Sequence, residues 1–357
     1  MDSGRTTVYS GGLKLAADQA IERSGFLGTH RSLANIRWYE YMFFALGTLA
    51  ALITDGLTIA RLVKIGGSLS NPEFAYGILI LVHSLFLLLF LLTGLLYQRI
   101  TDIIAFFVSA VLLTIYVVVH YFYRKGQTSQ AQDTQPEIRL ARLIITIVFN
   151  ICFIPLSIVV IKDYKRDEFS QRLFGAFTEQ RRPLRIYSTF DCVMRLSTML
   201  SISSLLLNLY NYTGYQVADT IFLSIGIPVV FIWLGVGIGM ARLESFILMC
   251  IFYFLSLFQL GFLGYCLSTT IKRSIDVSKQ TSTTTTIATS TLSSTTTMKP
   301  PADLLPIFGV LYVCISANLL AHIASMIFGF WCTRQFGKGL QDKLFNSKID
   351  KWIRERF

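Results

Sequence analysis

Charge is scarce in this chain. Asp, Glu, Lys and Arg make up only 15% of its 357 residues, where soluble domains carry about 25%. Hydrophobic residues make up 53%, and the mean hydropathy is +0.56. That balance excludes a soluble enzyme domain with tails. Cysteine offers little chemistry. The six cysteines (Cys152, Cys192, Cys250, Cys266, Cys314 and Cys332) fall in or at the ends of apolar runs, with no C-x-x-C pair and no partnering histidine spacing. Neither a disulfide framework nor a zinc site is expected, although Cys266 and Cys314 lie toward the same side and leave one bridge open. Nucleotide-binding loops, H-E-x-x-H pairs, G-x-S-x-G elbows and kinase signatures are also missing. The expectation is a non-enzymatic chain without metal or cofactor.

Further absences narrow the architecture. Residues 1–37 hold scattered charges and no apolar core of about 7–15 residues before a small-residue cleavage site, so the first span is expected to do the targeting. Strand-like alternation of the barrel type is absent, and no internal repeat is visible. Receptor signatures are lacking too: no D-R-Y closes a third span and no N-P-x-x-Y lies in the last.

What the chain does contain is long apolar runs at 38–60, 75–97, 101–123, 141–162, 188–210, 217–240, 244–267 and 305–331. Each is long enough to cross a hydrocarbon core of about 30 Å as a helix, and helix is the open-ended way to satisfy every backbone group in lipid. The predicted fold class is an all-α polytopic membrane protein with about eight transmembrane helices. The expected organisation is an N-terminal segment (1–37), a seven-span bundle (38–267), a Thr/Ser-rich extracellular loop (268–304), an eighth span (305–331) and a basic amphipathic tail (332–357).

Basic residues report orientation before partners in such a chain, so the net charge of +11 predicts no nucleic acid. With the N-terminus inside, 21 Lys and Arg fall on inner segments and ten on outer ones. Both termini are therefore expected in the cytoplasm. The sequon Asn211-Tyr212-Thr213 and a run in which 15 of 20 residues from Ser278 to Thr297 are Ser or Thr both fall outside in this topology. They read as an N-glycosylation site and a mucin-like stretch, against the plainer readings of an unmodified juxtamembrane Asn and a flexible tether. The expected location is the secretory pathway, at the plasma membrane.

Polar residues inside the spans carry the functional expectation, because they are costly there. Ser197, Ser201, Ser204, Asn208 and Asn211 recur at +4 and +3 along one face of the fifth span. Asn318, His322, Ser325 and Gly329 do the same in the eighth. At about 1.5 Å per residue, His83, Asn150, Ser201 and His322 lie within about 5 Å of the midplane, and Asp55 lies about 9 Å outward of that plane. Asp55, His83, Asn150, Ser201, Asn318 and His322 form the candidate polar pathway, with the histidines as proton-relay or ion-site candidates. The plainer reading has each histidine donating to a neighbouring helix. Asp191 and Arg195, four apart with the acid first, are a candidate gate or a structural ion pair that snorkels to the interface. Pro155, Pro228 and a Gly235/Gly239 step offer hinges or close packing. In the tail, Ile349, Trp352, Ile353 and Phe357 share a face, with Lys348, Lys351, Arg354 and Arg356 around it. This predicts a helix on anionic inner-leaflet lipids.

Two stretches, GLLYQRITDIIAFFVSAVLLTIYVVVHYFY (94–123) and LFGAFTEQRRPLRIYSTFDCVMRLSTMLSISSLLL (173–207), resemble a group of animal multispan proteins classed as a domain of unknown function. The resemblance implies a multispan fold with an R-x-Y-x-x-F lead into the fifth span, Arg185 to Phe190, and implies no activity. The residues favour a transporter or channel-like protein for a small polar solute or ion. The alternative is a receptor-like or scaffold protein presenting the outer loop and the basic inner surface.

Overall fold

The computed structural model describes residues 23–25, 28–30, 36–65, 72–127, 136–165, 178–209, 217–287 and 305–338. A short antiparallel hairpin, β1 (Arg23–Gly25) and β2 (Gly28–His30), precedes the helices. Eight long helices follow: α1 (Trp38–Ile65), α2 (Pro72–Leu96), α3 (Ile100–Gln127), α4 (Pro136–Tyr164), α5 (Thr178–Leu209), α6 (Val217–Leu243), α7 (Phe246–Ile287) and α8 (Leu305–Thr333). All eight are long and apolar enough to cross a membrane, so the all-α, eight-span reading holds. The expected sites at Asn211, the 288–304 part of the Thr/Ser-rich segment and the amphipathic tail at 347–357 lie outside the described residues.

Local chemistry sets the helix ends. Glu40 reaches back to accept from the Arg37 amide at 2.8 Å and covers a free donor at the start of α1. Pro72 and Pro136 open α2 and α4, where the missing N–H costs nothing. Two tight turns rely on left-handed residues, Gln98 (φ 49°) between α2 and α3 and Glu244 (φ 48°) between α6 and α7. Pro155 and Pro228 lie inside helices that continue past them. Residues 268–287, expected as the first part of the Thr/Ser-rich loop, are helical instead, because α7 runs on to Ile287. Its hydroxyls do not break the helix: Thr269 and Thr270 donate to the carbonyls of Tyr265 and Cys266 one turn back. Extending a formed helix is far easier than nucleating one.

The helices form two four-membered rings. In the first, α1 packs on α2 and α4, and α3 closes the ring between them; in the second, α5 packs on α6 and α8, and α7 closes it. Helices consecutive in the chain are neighbours within each ring, the order of an up-and-down bundle. The rings meet along a seam where α2 and α3 face α5, with α8 also reaching α3. The first ring presents its second and third helices, the second ring its first and fourth, so no internal two-fold relates the two faces.

Packing inverts the soluble pattern. Leu52, Ile59, Ile151, Phe254 and Leu320 point outward, over 40% exposed, as lipid-facing chains must. The α5 span is 83% buried, whereas those of α1, α4 and α7 are only 22% buried; α5 is therefore the axis of the bundle. The first ring's core is an edge-to-face cluster of Phe43, Phe106 and Phe153, with centroids 5.1–5.8 Å apart. The second ring stacks Trp233 on Phe252, at 5.7 Å, against Tyr187, Phe190 and Met194.

Candidate functional site

Four charges meet at the seam. Gly94 lets the turn after α2 fold close, because a Cβ there would meet Asp102 Cβ at 3.4 Å and the end of the Ile103 side chain nearer still. The turn places Arg99 beside the first residues of α3, and Asp102 sits in the first turn of that helix, where its charge suits the helix dipole. Across the seam, Asp191 and Arg195 are one turn apart on α5. Arg99 Nη1 donates to Asp191 Oδ2 at 2.6 Å, and Arg195 Nη2 donates to the same oxygen at 2.7 Å and to both oxygens of Asp102 at 3.2 Å. Arg195 Nη1 donates to Thr93 Oγ1 at 2.8 Å and its Nε to the Asp191 carbonyl at 3.2 Å. Aromatic faces complete the lining: Arg99 lies 4.8 Å from the Tyr97 ring and 5.4 Å from that of Tyr187, and Arg195 lies 5.6 Å from Phe90. All four charged side chains are buried. Burial opposes charge on Arg99, yet the Asp191 and Asp102 carboxylates raise its pKa above the ordinary value. The Asp191–Arg195 pair thus exists, and it is buried at the seam with Arg99 and Asp102.

The two polar stripes face each other. Ser201 Oγ accepts from Asn318 Nδ2 at 2.9 Å and from Gln259 Nε2 at 2.8 Å. Ser197 donates to Asn318 Oδ1 at 3.1 Å. His322 Nε2 lies 3.0 Å from the Ser256 carbonyl, which can only accept, so this nitrogen carries the proton. Trp233 Nε1 donates to Ser256 Oγ at 2.7 Å, and its ring lies 4.9 Å from that of His322. Gln259 Oε1 is buried without a hydrogen-bond partner among the described residues.

The other candidates lie apart from this cluster. His83 Nδ1 donates to the Leu79 carbonyl at 3.1 Å and lies 3.3 Å from Ser203 Oγ across the seam. Its ring stands edge-on to Tyr116 at 5.3 Å, whose hydroxyl is 2.9 Å from Cys314 Sγ. Asp55 accepts from Ser84 at 2.8 Å. Asn150 donates to Thr114 Oγ1 at 2.6 Å and to the Thr146 carbonyl at 2.9 Å. A cavity of about 50 Å³ inside the first ring is lined by Thr54, Ser84, Thr146 and Asn150 among apolar neighbours. The six pathway candidates therefore do not line one cavity: Ser201, Asn318 and His322 join in one hydrogen-bonded group, Asn150 borders the first-ring cavity, Asp55 bonds Ser84 on its wall, and His83 belongs to the seam. His322 donates to a carbonyl of a neighbouring helix, as the plainer reading has it, whereas His83 donates to a carbonyl of its own helix.

Sequence reasoning did not find Arg99, Asp102, Thr93 or Gln259. Arg99 counts as a loop charge and Asp102 as a helix-start acid, and only the fold shows that both meet Arg195 or its partner. The one available signal was that Asp102 opens an apolar run without a basic residue at +3 or +4. Among the described residues, no group of three or more His, Cys, Asp or Glu side chains is placed to hold a metal ion. All six cysteines are free, including Cys266 and Cys314.

A family model described as "Domain of unknown function (DUF7789)" matches residues 27–162. The matched segment takes in α1 to α3 and nearly all of α4, the first ring, and contains the 94–123 stretch but not 173–207. Comparison with curated proteins and with solved structures gives no match.

Proposed function

We propose that this multi-pass membrane protein is a non-enzymatic transporter or channel-like protein for a small polar solute or ion, and that the seam between its rings is the moving part. The observation that carries the reading is the buried cluster of two arginines and two aspartates. Buried ion pairs are weak contributors to stability compared with apolar packing, and charges inside a membrane fold mark pathways and moving elements. Arg99 and Asp102 come from the first ring, Asp191 and Arg195 from the second. Each face is therefore neutral by itself, so opening the seam strands no net charge on either side.

The positive-inside balance supports placing both termini and the charge cluster toward the cytoplasm, with Asn211 and the Thr-rich run outside and glycosylated. That topology fits passage through the secretory pathway to the plasma membrane, with the basic tail on anionic inner-leaflet lipids. A second reading, a receptor-like or scaffold protein, is favoured by one observation: Ser197, Ser201 and Asn318 bond to one another, His322 Nδ1 lies 3.5 Å from Ser197 Oγ, and none of the four lines the first-ring cavity.

Purified protein in sealed vesicles separates the two. Fluxes of Na⁺, K⁺, H⁺ and Cl⁻ by indicator dyes, and of urea and glycerol by light scattering, are compared with those of empty vesicles. The expected result is flux of at least one of these species above the empty-vesicle rate, altered tenfold or more by the seam variant Arg99→Gln/Asp102→Asn. Wild type and seam variant that are both monodisperse and both indistinguishable from empty vesicles overturn transport in favour of the scaffold.

A further inference from the structure

At the end of the bundle where α5 begins and α8 finishes, a cavity of about 310 Å³ is lined by Arg182, Ile186, Trp331, Arg334 and Gln335. That volume falls at the small end of the ~300–1,000 Å³ typical of ligand sites. Its depth is informative. The apolar span of α5 starts at Arg181 and that of α8 stops at Thr333, so the cavity sits where both helices leave the hydrocarbon. Trp331 is 46% exposed there, in the position that an indole takes at a membrane interface.

The lining has one sign of charge. Arg181 turns into the bundle and is buried, while its neighbour Arg182 is exposed. Arg334 is exposed too, its guanidinium held 4.6 Å from the Phe330 ring. Neither Arg182 nor Arg334 forms an ion pair among the described residues. Glu244, which reaches the chain just after α8, accepts from the Gly337 amide at 2.6 Å and pairs with neither arginine. Two unneutralised guanidiniums, an amide donor, an interfacial indole and an isoleucine toward the apolar side suit one occupant: a phosphodiester headgroup with its glycerol and upper acyl carbons beneath. Arginine forks fit phosphate oxygens in two-point geometry.

We infer that this cavity binds the headgroup of an anionic phospholipid of the surrounding leaflet, with Arg182 and Arg334 on the phosphate. None of the lining residues belongs to the tail at 348–356, and the inference does not depend on whether the protein transports anything. The lipid neutralises the two arginines and ties the start of α5, the central helix, to the end of α8.

The test uses full-length protein in nanodiscs containing bromine-labelled phosphatidylserine or bromine-labelled phosphatidylcholine, with tryptophan quenching as the readout and Trp331→Phe to assign the signal. Phosphatidylserine is expected to quench Trp331 preferentially, and Arg182→Gln/Arg334→Gln to lower that preference about 30-fold, which corresponds to about 1 kcal/mol for each basic residue at an anionic surface. The tail variant Lys348→Gln/Lys351→Gln/Arg354→Gln/Arg356→Gln is expected to keep the preference. Both arginines are exposed, so the double variant is expected to elute as the wild type does. Equal quenching by the two lipids overturns the assignment, as does a preference that survives the double substitution or disappears only in the tail variant.

Discussion

The two rings share one connectivity and fill it differently. The first is held by the aromatic cluster of Phe43, Phe106 and Phe153, and it leaves a small cavity beside Asn150. The second is built around α5, whose serines meet Asn318 and Gln259 in direct hydrogen bonds. In lipid, apolar side chains gain little by choosing one another over acyl chains, so association rests on close packing and hydrogen bonding. A helix such as α1 or α4 can thus show most of its surface to lipid, whereas α5 can sit only at the centre. Polar groups fix which helix is the axis; aromatic packing fills the space around it.

Removing the arginine that joins the rings is the strongest way to break this arrangement. Arg195→Ala takes the arginine from Asp102 and one of two from Asp191, leaving a buried carboxylate uncompensated. A loss of about 3–5 kcal/mol is expected, read as a lower melting temperature of the purified protein. Arg195→Lys keeps the charge but loses the fork that reaches Thr93 and both carboxylates, and is expected to recover only part of the loss. A melting temperature unchanged by Arg195→Ala would show that the rings are held by apolar packing alone.

Next in size is Gly237 on α6. A Cβ there would lie 2.8 Å from Met194 Sδ and closer still to its methyl, with Phe252 at 3.2 Å. Met194 is fully buried on α5, and although its chain is flexible it has little room to retreat. Gly237→Ala is expected to cost about 1–3 kcal/mol by overpacking in the same thermal measurement. Below it stands a matched pair of asparagines. Asn318 is completely buried and bonds Ser201 and Ser197, whereas Asn150 is half-buried beside a cavity and its oxygen has no partner among the described residues. Asn318→Ala is expected to cost about 1 kcal/mol, near the upper range for an interhelical polar contact in a membrane protein, and Asn150→Ala a few tenths. A larger loss at Asn150 than at Asn318 would reverse the assignment of polar specificity to the second ring.

Span positions were legible because lipid imposes one requirement on every residue of a crossing helix: an apolar side chain over a satisfied backbone. The stripe on α5 was legible for the same reason, since a run of serines cannot face lipid. Its partners were only half legible. The α8 stripe is periodic and was found, but within the apolar part of α7 Gln259 has only Ser256, three residues before it, as a polar companion, too little to announce a stripe. Arg99 and Asp102 were hidden by geometry: a tight turn with Gln98 left-handed carries residues from one helix end onto the flank of α5, a long-range contact that spacing along the chain does not encode. The extension of α7 through Ile287 was missed because a Ser/Thr-rich composition resembles a loop wherever it stands, while a helix already formed can carry it.

The smallest expected effect tests how far a motif can be read without its neighbours. Gly235 and Gly239 form a G-x-x-x-G step, the spacing that brings membrane helices together when both glycines face a partner. In the fold, a Cβ on Gly235 meets nothing within 4 Å, and one on Gly239 only touches Leu248 at 3.6 Å. The close approach belongs instead to Gly237, on a different side of the same helix. Gly235→Ala is therefore expected to leave stability within about 0.5 kcal/mol of wild type, with a small gain where alanine stiffens the helix. Gly237→Ala, two residues on, should be distinctly destabilising. The contrast depends on which face of α6 meets α5, so equal losses at the two positions would mean that the helix is rotated from the orientation described, or that a second copy of the chain packs on Gly235.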